Sequence, residues 1–286
     1  MSNPRVAIIM TCFNRKESTK KCLETLNVNR HKGCDVFLVN DGCTDGTPEM
    51  IEKCFPNVNI LQGDGSLFWN RGMHFAFSEA VKNDYDFYLW VNDDVIFEGD
   101  IIDRLLSSYY ELKTTTNKII VAGYTLNKEK KEITYCGYNK AKSIIPLKLE
   151  MVLPSDEYKR CDTFNGNCVL IPNDVVKQVG INSDFYRHGF GDIDYGFSAS
   201  EQGVEIYITN YPVGYCDKNT SSKIWNDIHS KAKIGEKYKV MTSITHKPNK
   251  EWWYFTKRFG GPFWFIRFLS PYVKLIISPV LNLKIK

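Results

Sequence analysis

Five consecutive apolar residues, Phe87-Tyr88-Leu89-Trp90-Val91, run straight into Asn92-Asp93-Asp94. A short aromatic and β-branched run reads as a buried strand, here with carboxylates at its C-terminal end. In open α/β sheets, ligands sit beyond the carboxyl ends of the strands. Two adjacent Asp and an Asn offer oxygen ligands to a divalent cation, and such a cation can hold a diphosphate. A solvated Asn-Asp turn is the bland alternative.

The segments before it fix the fold class. Val6–Met10 is an apolar run, Thr11–Arg15 a polar loop, and Glu17–Leu26 a helix with Cys22, Leu23 and Leu26 on one face. Val36–Val39 is a second strand, ending at Asn40-Asp41-Gly42-Cys43-Thr44-Asp45-Gly46-Thr47, which opens a helix over Pro48–Cys54. Val58–Leu61 is a third strand; Gly63-Asp64-Gly65-Ser66 then leads into a helix running to about Lys82. This alternation is the βαβ rhythm of a parallel sheet.

Further on, Gly99–Leu112 reads as a helix and Ile119–Ala122 as a strand. Residues 127–159 alternate short apolar pieces with Lys/Glu pairs; they fit plain surface hairpins better than an acceptor-side insertion. Phe164–Pro172 is a strand with polar residues at its start, Asn173–Val179 a short helix closed by Gly180, and Val204–Ile208 a late strand. Asp192 and Asp194 stand at the start of a helix running to Gln202, where the dipole favours their charged forms and where ordinary N-capping would also put acids.

The net charge of +4 hides an asymmetry: residues 231–286 carry 12 Lys/Arg against 2 Asp/Glu, leaving 25 against 31 in the rest. A mildly acidic body therefore bears a basic tail that is expected to meet something anionic. Nine Cys without a Cys-x-x-Cys pair favour reduced thiols and a cytoplasmic setting over a disulfide framework. No secretory leader is expected, and Phe259–Leu281 is too interrupted by Arg267, Pro271, Lys274 and Pro279 for a clean span. Its aromatics beside Lys257, Arg258, Arg267 and Lys274 fit either a membrane-interface segment or helices packed on the body or in a homodimer contact. The membrane reading names Trp264, Arg267 and Lys274 as contacts, with Pro271 breaking or kinking the helix. No nucleic-acid module is visible.

Taken in order, Asn40-Asp41-Gly42 with Asp45-Gly46-Thr47, Asn70-Arg71-Gly72, Asn92-Asp93-Asp94, Phe164-Asn165-Gly166 and Gly191-Asp192-Ile193-Asp194 resemble the family 2 glycosyltransferases over roughly residues 5–225. The resemblance implies an α/β GT-A fold, with a Rossmann-like mixed sheet flanked by helices. It implies a catalytic domain over 1–230, nucleotide-binding to about 98 and acceptor-binding from 99, followed by a helical extension over 231–286. Asp41 with the Thr11 loop (Phe13, Asn14, Arg15) is expected at the nucleotide base; a carboxylate accepts the imide N–H of uracil or thymine, which favours UDP- or dTDP-sugars. Gly65, Asn70, Arg71, Asp93, Asn165 and Gly166 complete the expected nucleotide-sugar contacts. Asp94 is the expected ligand of Mg²⁺ or Mn²⁺, with Asn92 in the family's other ligand place. Asp192 is the expected catalytic base and Asp194 its alternative, with Gly191 where the family usually has Glu. Where the family commonly has a histidine, the candidates are Cys216, Asp217 and His229.

A departing nucleotide diphosphate needs charge neutralised, and an acceptor hydroxyl needs a base; a single base with in-line attack inverts the anomeric centre. The expected activity is hexosyl, N-acetylhexosaminyl or rhamnosyl transfer to a glycan or lipid-linked glycan in polysaccharide synthesis, on the inner face of the cell membrane. The alternatives are transfer to a polyprenyl phosphate, or a non-catalytic sugar-nucleotide-binding protein, which the Asn92 and Gly191 departures favour.

Overall fold

The computed structural model describes residues 3–28, 33–129, 131–218 and 233–281. Strands β1 (Val6–Cys12), β2 (Cys34–Asn40), β3 (Val58–Gln62) and β4 (Phe87–Val91) lie parallel in the order β3-β2-β1-β4. Helices α1 (Lys16–Leu26), α2 (Thr47–Cys54) and α3 (Phe68–Ala80) make the crossovers. Strand β1 shows why both faces must be covered. Val6, Ile8 and Met10 face one core with Leu23 and Leu26 of α1; Ala7 and Ile9 face another with Met73, Ala76 and Phe77 of α3. Side chains alternate across a strand, so a continuous apolar run needs two apolar layers.

The chain works outward from β1 to β3 and then returns to lay β4 on the other flank of β1. Loops leaving β1 and β4 therefore part in opposite directions and open a crevice at their carboxyl ends. Beyond β4 come the short β5 (Ile96–Phe97), helix α4 (Ile101–Lys113) and strand β6 (Ile119–Leu126). The region 127–159 folds into β7 (Ile133–Tyr135), β8 (Gly137–Lys140) and β9 (Leu149–Met151), followed by β10 (Lys159–Cys161). The expected single strand over Phe164–Pro172 is two, β11 (Thr163–Phe164) and β12 (Cys168–Pro172), hinged at Asn165-Gly166-Asn167. Strand β11 joins β8 and β9 in a separate sheet, while β12 inserts antiparallel between β4 and β6. After α5 (Asn173–Val179) and α6 (Gly191–Glu201), β13 (Glu205–Tyr215) runs parallel to β6.

The basic tail forms α7 (Ile234–Met241), α8 (Asn249–Phe259) and α9 (Trp264–Leu281). Trp252, Phe255 and Phe259 of α8 share a core with Leu147, Tyr186 and Phe197 of the body. The tail thus packs on the body by one face. Two ion pairs pin it: Arg258 Nη1 to Asp194 Oδ1 at 3.0 Å and Arg187 Nε to Glu251 Oε1 at 2.8 Å. The expected break at Pro271 does not occur, and α9 continues through it. Proline cannot donate to the carbonyl four residues back; here the Ser270 hydroxyl donates to that Arg267 oxygen at 2.9 Å. Among the described residues, no helix is long and apolar enough to cross a membrane.

Candidate active site

One cleft of about 830 Å³ opens at the carboxyl ends of β1, β2 and β4. Asp41, Asp94 and Asp192, distant in sequence, all line it, together with Thr11, Phe13, Arg15, Gly65, Asn92, Asp93 and Asn165.

Asp41 follows β2 and is only 3% exposed. Its Oδ1 accepts the amides of Gly65 (2.9 Å) and Leu67 (3.3 Å), and its Oδ2 accepts that of Phe68 (2.9 Å). A carboxylate has about four acceptor positions, so three are spent shaping the loop that starts α3. The loop is tight: Phe68 has φ 57°, and a Cβ on Gly63 would stand 2.7 Å from Asp41 Oδ1. Asn14 does not line the cleft; its Oδ1 accepts the Thr44 amide at 2.7 Å and so ties the β1 loop to the β2 loop. Asp45 accepts the Lys16 amide at 2.9 Å and the Thr47 amide at 3.1 Å, joining the starts of α1 and α2.

The three residues after β4 diverge. Asp93 turns inward and is buried, which pushes its carboxyl up to about 7 against the opposing pull of Arg15. Asp94 carries Arg15 Nη1 on Oδ2 at 2.7 Å and receives the Cys216 thiol on Oδ1 at 3.4 Å. Among the described candidates for the family's histidine position, Cys216 is the one that touches Asp94. Asp217 instead accepts the Lys128 amide at 3.4 Å, and His229 lies outside the described residues, as do Ser221, Ser222 and Trp225. Asn92 lines the cleft, and its Oδ1 accepts the Trp69 indole N–H at 2.7 Å, which takes one of that oxygen's two lone pairs. Among the described residues no three His, Cys, Asp or Glu gather as a metal cage. The donor set fits a hard cation shared between Asp94 and a diphosphate, not one held by protein alone, since Mg²⁺ is commonly held by one or two carboxylates plus substrate phosphates.

Asp192 and Asp194 separate cleanly. Asp192 faces the cleft, its Oδ2 accepting the Gly166 amide at 3.0 Å and its Oδ1 the Ile193 amide at 2.8 Å. Burial raises its pKa above the ordinary carboxylate range, although those two amides act the other way. Gly166 also lets Trp69 pack against this turn: a Cβ there would stand 2.6 Å from the Trp69 ring. Asp194 points away from the cleft to Tyr186 Oη (2.8 Å) and Arg258. Neither acid is the N-cap, which is Phe190 in a left-handed conformation.

Asn70 and Arg71, expected near the sugar or the phosphates, are not among the residues that line the cleft. Asn70 is buried and donates to the carbonyls of Ser183 and Tyr186, both at 2.7 Å; Arg71 Nε donates to that of Asp184 at 2.9 Å. They brace the segment that delivers Asp192. A Cβ on Gly191 would collide with Asn70 Oδ1, which explains the absence of a larger residue at that position.

Several lining residues escaped the sequence reading: Trp69, Thr134, Tyr135, Tyr138, Met151, His188, Phe190, Lys218 and Thr245. The first six carry no motif, and the 127–159 region was expected to be plain surface; instead its hairpins wall the cleft. Burial lowers the pKa of His188 and favours its neutral form.

A mannosyltransferase from Pyrobaculum calidifontis, solved with GDP-Man and Mn²⁺, superposes over 98% of this chain and 83% of its own, with a TM-score of 0.50 at 10% identity. The fold is thus GT-A, as the motif order implied. Residues 7–157, more than half of the sequence, match the family described as Glycosyl transferase family 2, and the chain belongs to that family. A poly-beta-1,6-N-acetyl-D-glucosamine synthase of Staphylococcus aureus (strain COL) is 26% identical over 96 residues, which is 33% of this chain and 23% of the synthase. A glycosyltransferase of Rickettsia prowazekii (strain Madrid E) is 20% identical over 195 residues, 65% of this chain and 56% of that one.

Proposed function

We propose that the cleft transfers a sugar from UDP or dTDP to a hydroxyl of a glycan, with inversion, and that Asp192 takes the hydroxyl proton. The observation that carries this is the convergence of Asp41, Asp94 and Asp192 on one cleft in a family 2 glycosyltransferase. Asp41 keeps one acceptor position free for an imide N–H. Arg15 and Lys218 supply positive charge for a diphosphate. Bound by Asp94 and that diphosphate, Mg²⁺ or Mn²⁺ would neutralise charge on the leaving group. The Mn²⁺ in the Pyrobaculum neighbour supports this reading. Desolvation makes Asp192 a stronger base than a solvated carboxylate. Trp69, Tyr138 and Phe190 give apolar faces against which a sugar ring can lie.

The acceptor is proposed to be lipid-carried. Helix α9 turns Phe265, Leu269, Val273 and Ile276 to solvent, with Lys274 exposed among them. That stripe fits an anionic membrane interface. Trp264 is half-buried and sits edge-on to Trp253, and Arg267 lies over the Trp252 ring at 5.7 Å, so of the three expected contacts Lys274 is the exposed one. The 231–286 segment is proposed to be part of the catalytic unit, because α8 completes the core beside α6.

Thermal-shift and turnover screens of UDP-, dTDP- and GDP-sugars, with and without Mn²⁺, test the donor assignment. Stabilisation and turnover with a UDP- or dTDP-sugar are expected; response to GDP-sugars alone, as the Pyrobaculum neighbour's ligand would favour, would overturn the role given to Asp41. Flotation of the full chain with anionic vesicles should be lost in Leu269→Glu/Ile276→Glu; unchanged flotation removes the membrane proposal.

A further inference from the structure

The nucleotide side of the cleft holds a pair of thiols that the proposed reaction does not use. Cys12 ends β1 and lines the cleft; Cys43 sits in the loop after β2, two residues past Asp41. Their sulfurs lie 3.8 Å apart. All nine cysteines are free and lie among the described residues, and no other pair there makes a thiol–thiol hydrogen bond.

We propose that Cys12 and Cys43 form a reversible disulfide latch that weakens donor binding when a peroxide oxidises it; the effect on the donor rests on the function proposed above.

The two thiols are unequal in the way such a pair requires. Cys43 is half-buried and reachable, whereas Cys12 is 3% exposed. Cys43 Sγ accepts the Asn14 amide at 3.2 Å. The contact with the Cys12 thiol, and then that amide, lower the Cys43 thiol to about 7, while the same contact and burial push Cys12 up. Cys43, reachable and the more readily ionised, is suited to attack, and the buried Cys12 beside it to resolve. The chemistry balances. The Cys43 thiolate attacks a peroxide oxygen: an S–O bond forms, the O–O bond breaks, and the departing hydroxide takes a proton to leave as water. The Cys12 sulfur then attacks the sulfenic acid: the S–S bond forms, the S–O bond breaks, and a second water carries off the Cys12 proton. Two electrons pass from the thiol pair to one peroxide.

Closing the bond brings the sulfurs from 3.8 Å to about 2.05 Å. That draws the loop holding Asp41 toward the end of β1. It also takes the thiolate from the Asn14 amide, between Phe13 and Arg15. Arg15 is the residue paired with Asp94, so both walls of the donor side move together.

The test treats the full chain with hydrogen peroxide, then reads peptide mass spectrometry without reduction and nucleotide-sugar affinity by calorimetry. A Cys12–Cys43 cross-linked peptide is expected, with affinity weakened roughly tenfold or more and restored by dithiothreitol. Cys43→Ser should abolish both the cross-link and the sensitivity to peroxide, while the control Cys54→Ser keeps them. Oxidation of single cysteines without the cross-link would overturn the proposal, as would a cross-link that leaves affinity unchanged. A reduced chain that binds no nucleotide sugar would instead refute the proposed function. Hydrogen exchange over residues 12–15 and 41–47 would then read the latch, and unchanged exchange on oxidation would overturn it.

Discussion

The two sides of the cleft are built in different ways. On the side proposed for the donor, polar side chains at the ends of parallel strands are held directly by hydrogen bonds: Asp41 by three amides, Asp94 by Arg15, Asn92 by Trp69. On the acceptor side, Asp192 is set by elements brought from afar. These are the Asn165–Asn167 hinge, the segment braced by Asn70, and a tail helix whose Arg258 reaches Asp194 on the same helix. The donor side depends on hydrogen bonds made by the lining side chains themselves, and the acceptor side also on the packing of the segments that carry Asp192. Damage to the first should alter binding, and damage to the second should alter turnover and stability.

The largest effect is expected at Asp192. Asp192→Asn keeps the shape and removes the proposed base, so transfer should fall by roughly 10²–10⁴, the usual worth of a positioned general base, with donor affinity little changed. Equal losses of affinity and rate would erase the distinction. Next, Asp94→Ala should weaken donor affinity by roughly tenfold or more with Mn²⁺ present, and by less without it, since a charge-assisted contact is lost; calorimetry with and without EDTA checks this.

Arg258→Ala strips the charge partner from the buried Asp194. Losing a partner from a fully buried pair costs about 3–5 kcal/mol; with the guanidinium 37% exposed, about 2–3 kcal/mol is expected after screening. Denaturant unfolding would measure it, and donor affinity of the folded fraction should hold. The smallest effect is in pH. Because burial raises the folded pKa of Asp192, the active ionised form grows as pH rises through that value. The acid limb of kcat/KM should therefore lie above the range of an ordinary aspartate, near 3.9. An acid limb at or below that range would show that Asp192 is not the titrating base.

How much could be read from the chain differs between the same two sides. The strand–helix alternation over residues 6–91 was legible because each apolar run stops at a turn signal, and the polar residues at those stops are the ones that line the donor side. Asn70 and Arg71 were misjudged for a physical reason. A polar residue on a helix can serve a ligand or a carbonyl from another segment, and only the tertiary fold brings Ser183, Asp184 and Tyr186 alongside. Tyr135, Tyr138 and Met151 were not legible either, since strands of three or four residues leave no period to read. Pro271 does not end its helix, since the neighbouring Ser270 hydroxyl supplies the missing donor.

A crystal structure of the Asp192→Asn chain with an intact UDP- or dTDP-sugar and Mn²⁺ tests the central claim most directly. The account predicts the base against Asp41, the diphosphate at Asp94, and the anomeric carbon on the side that faces residue 192. A sugar directed away from residue 192, or a nucleotide bound outside the cleft, would contradict it.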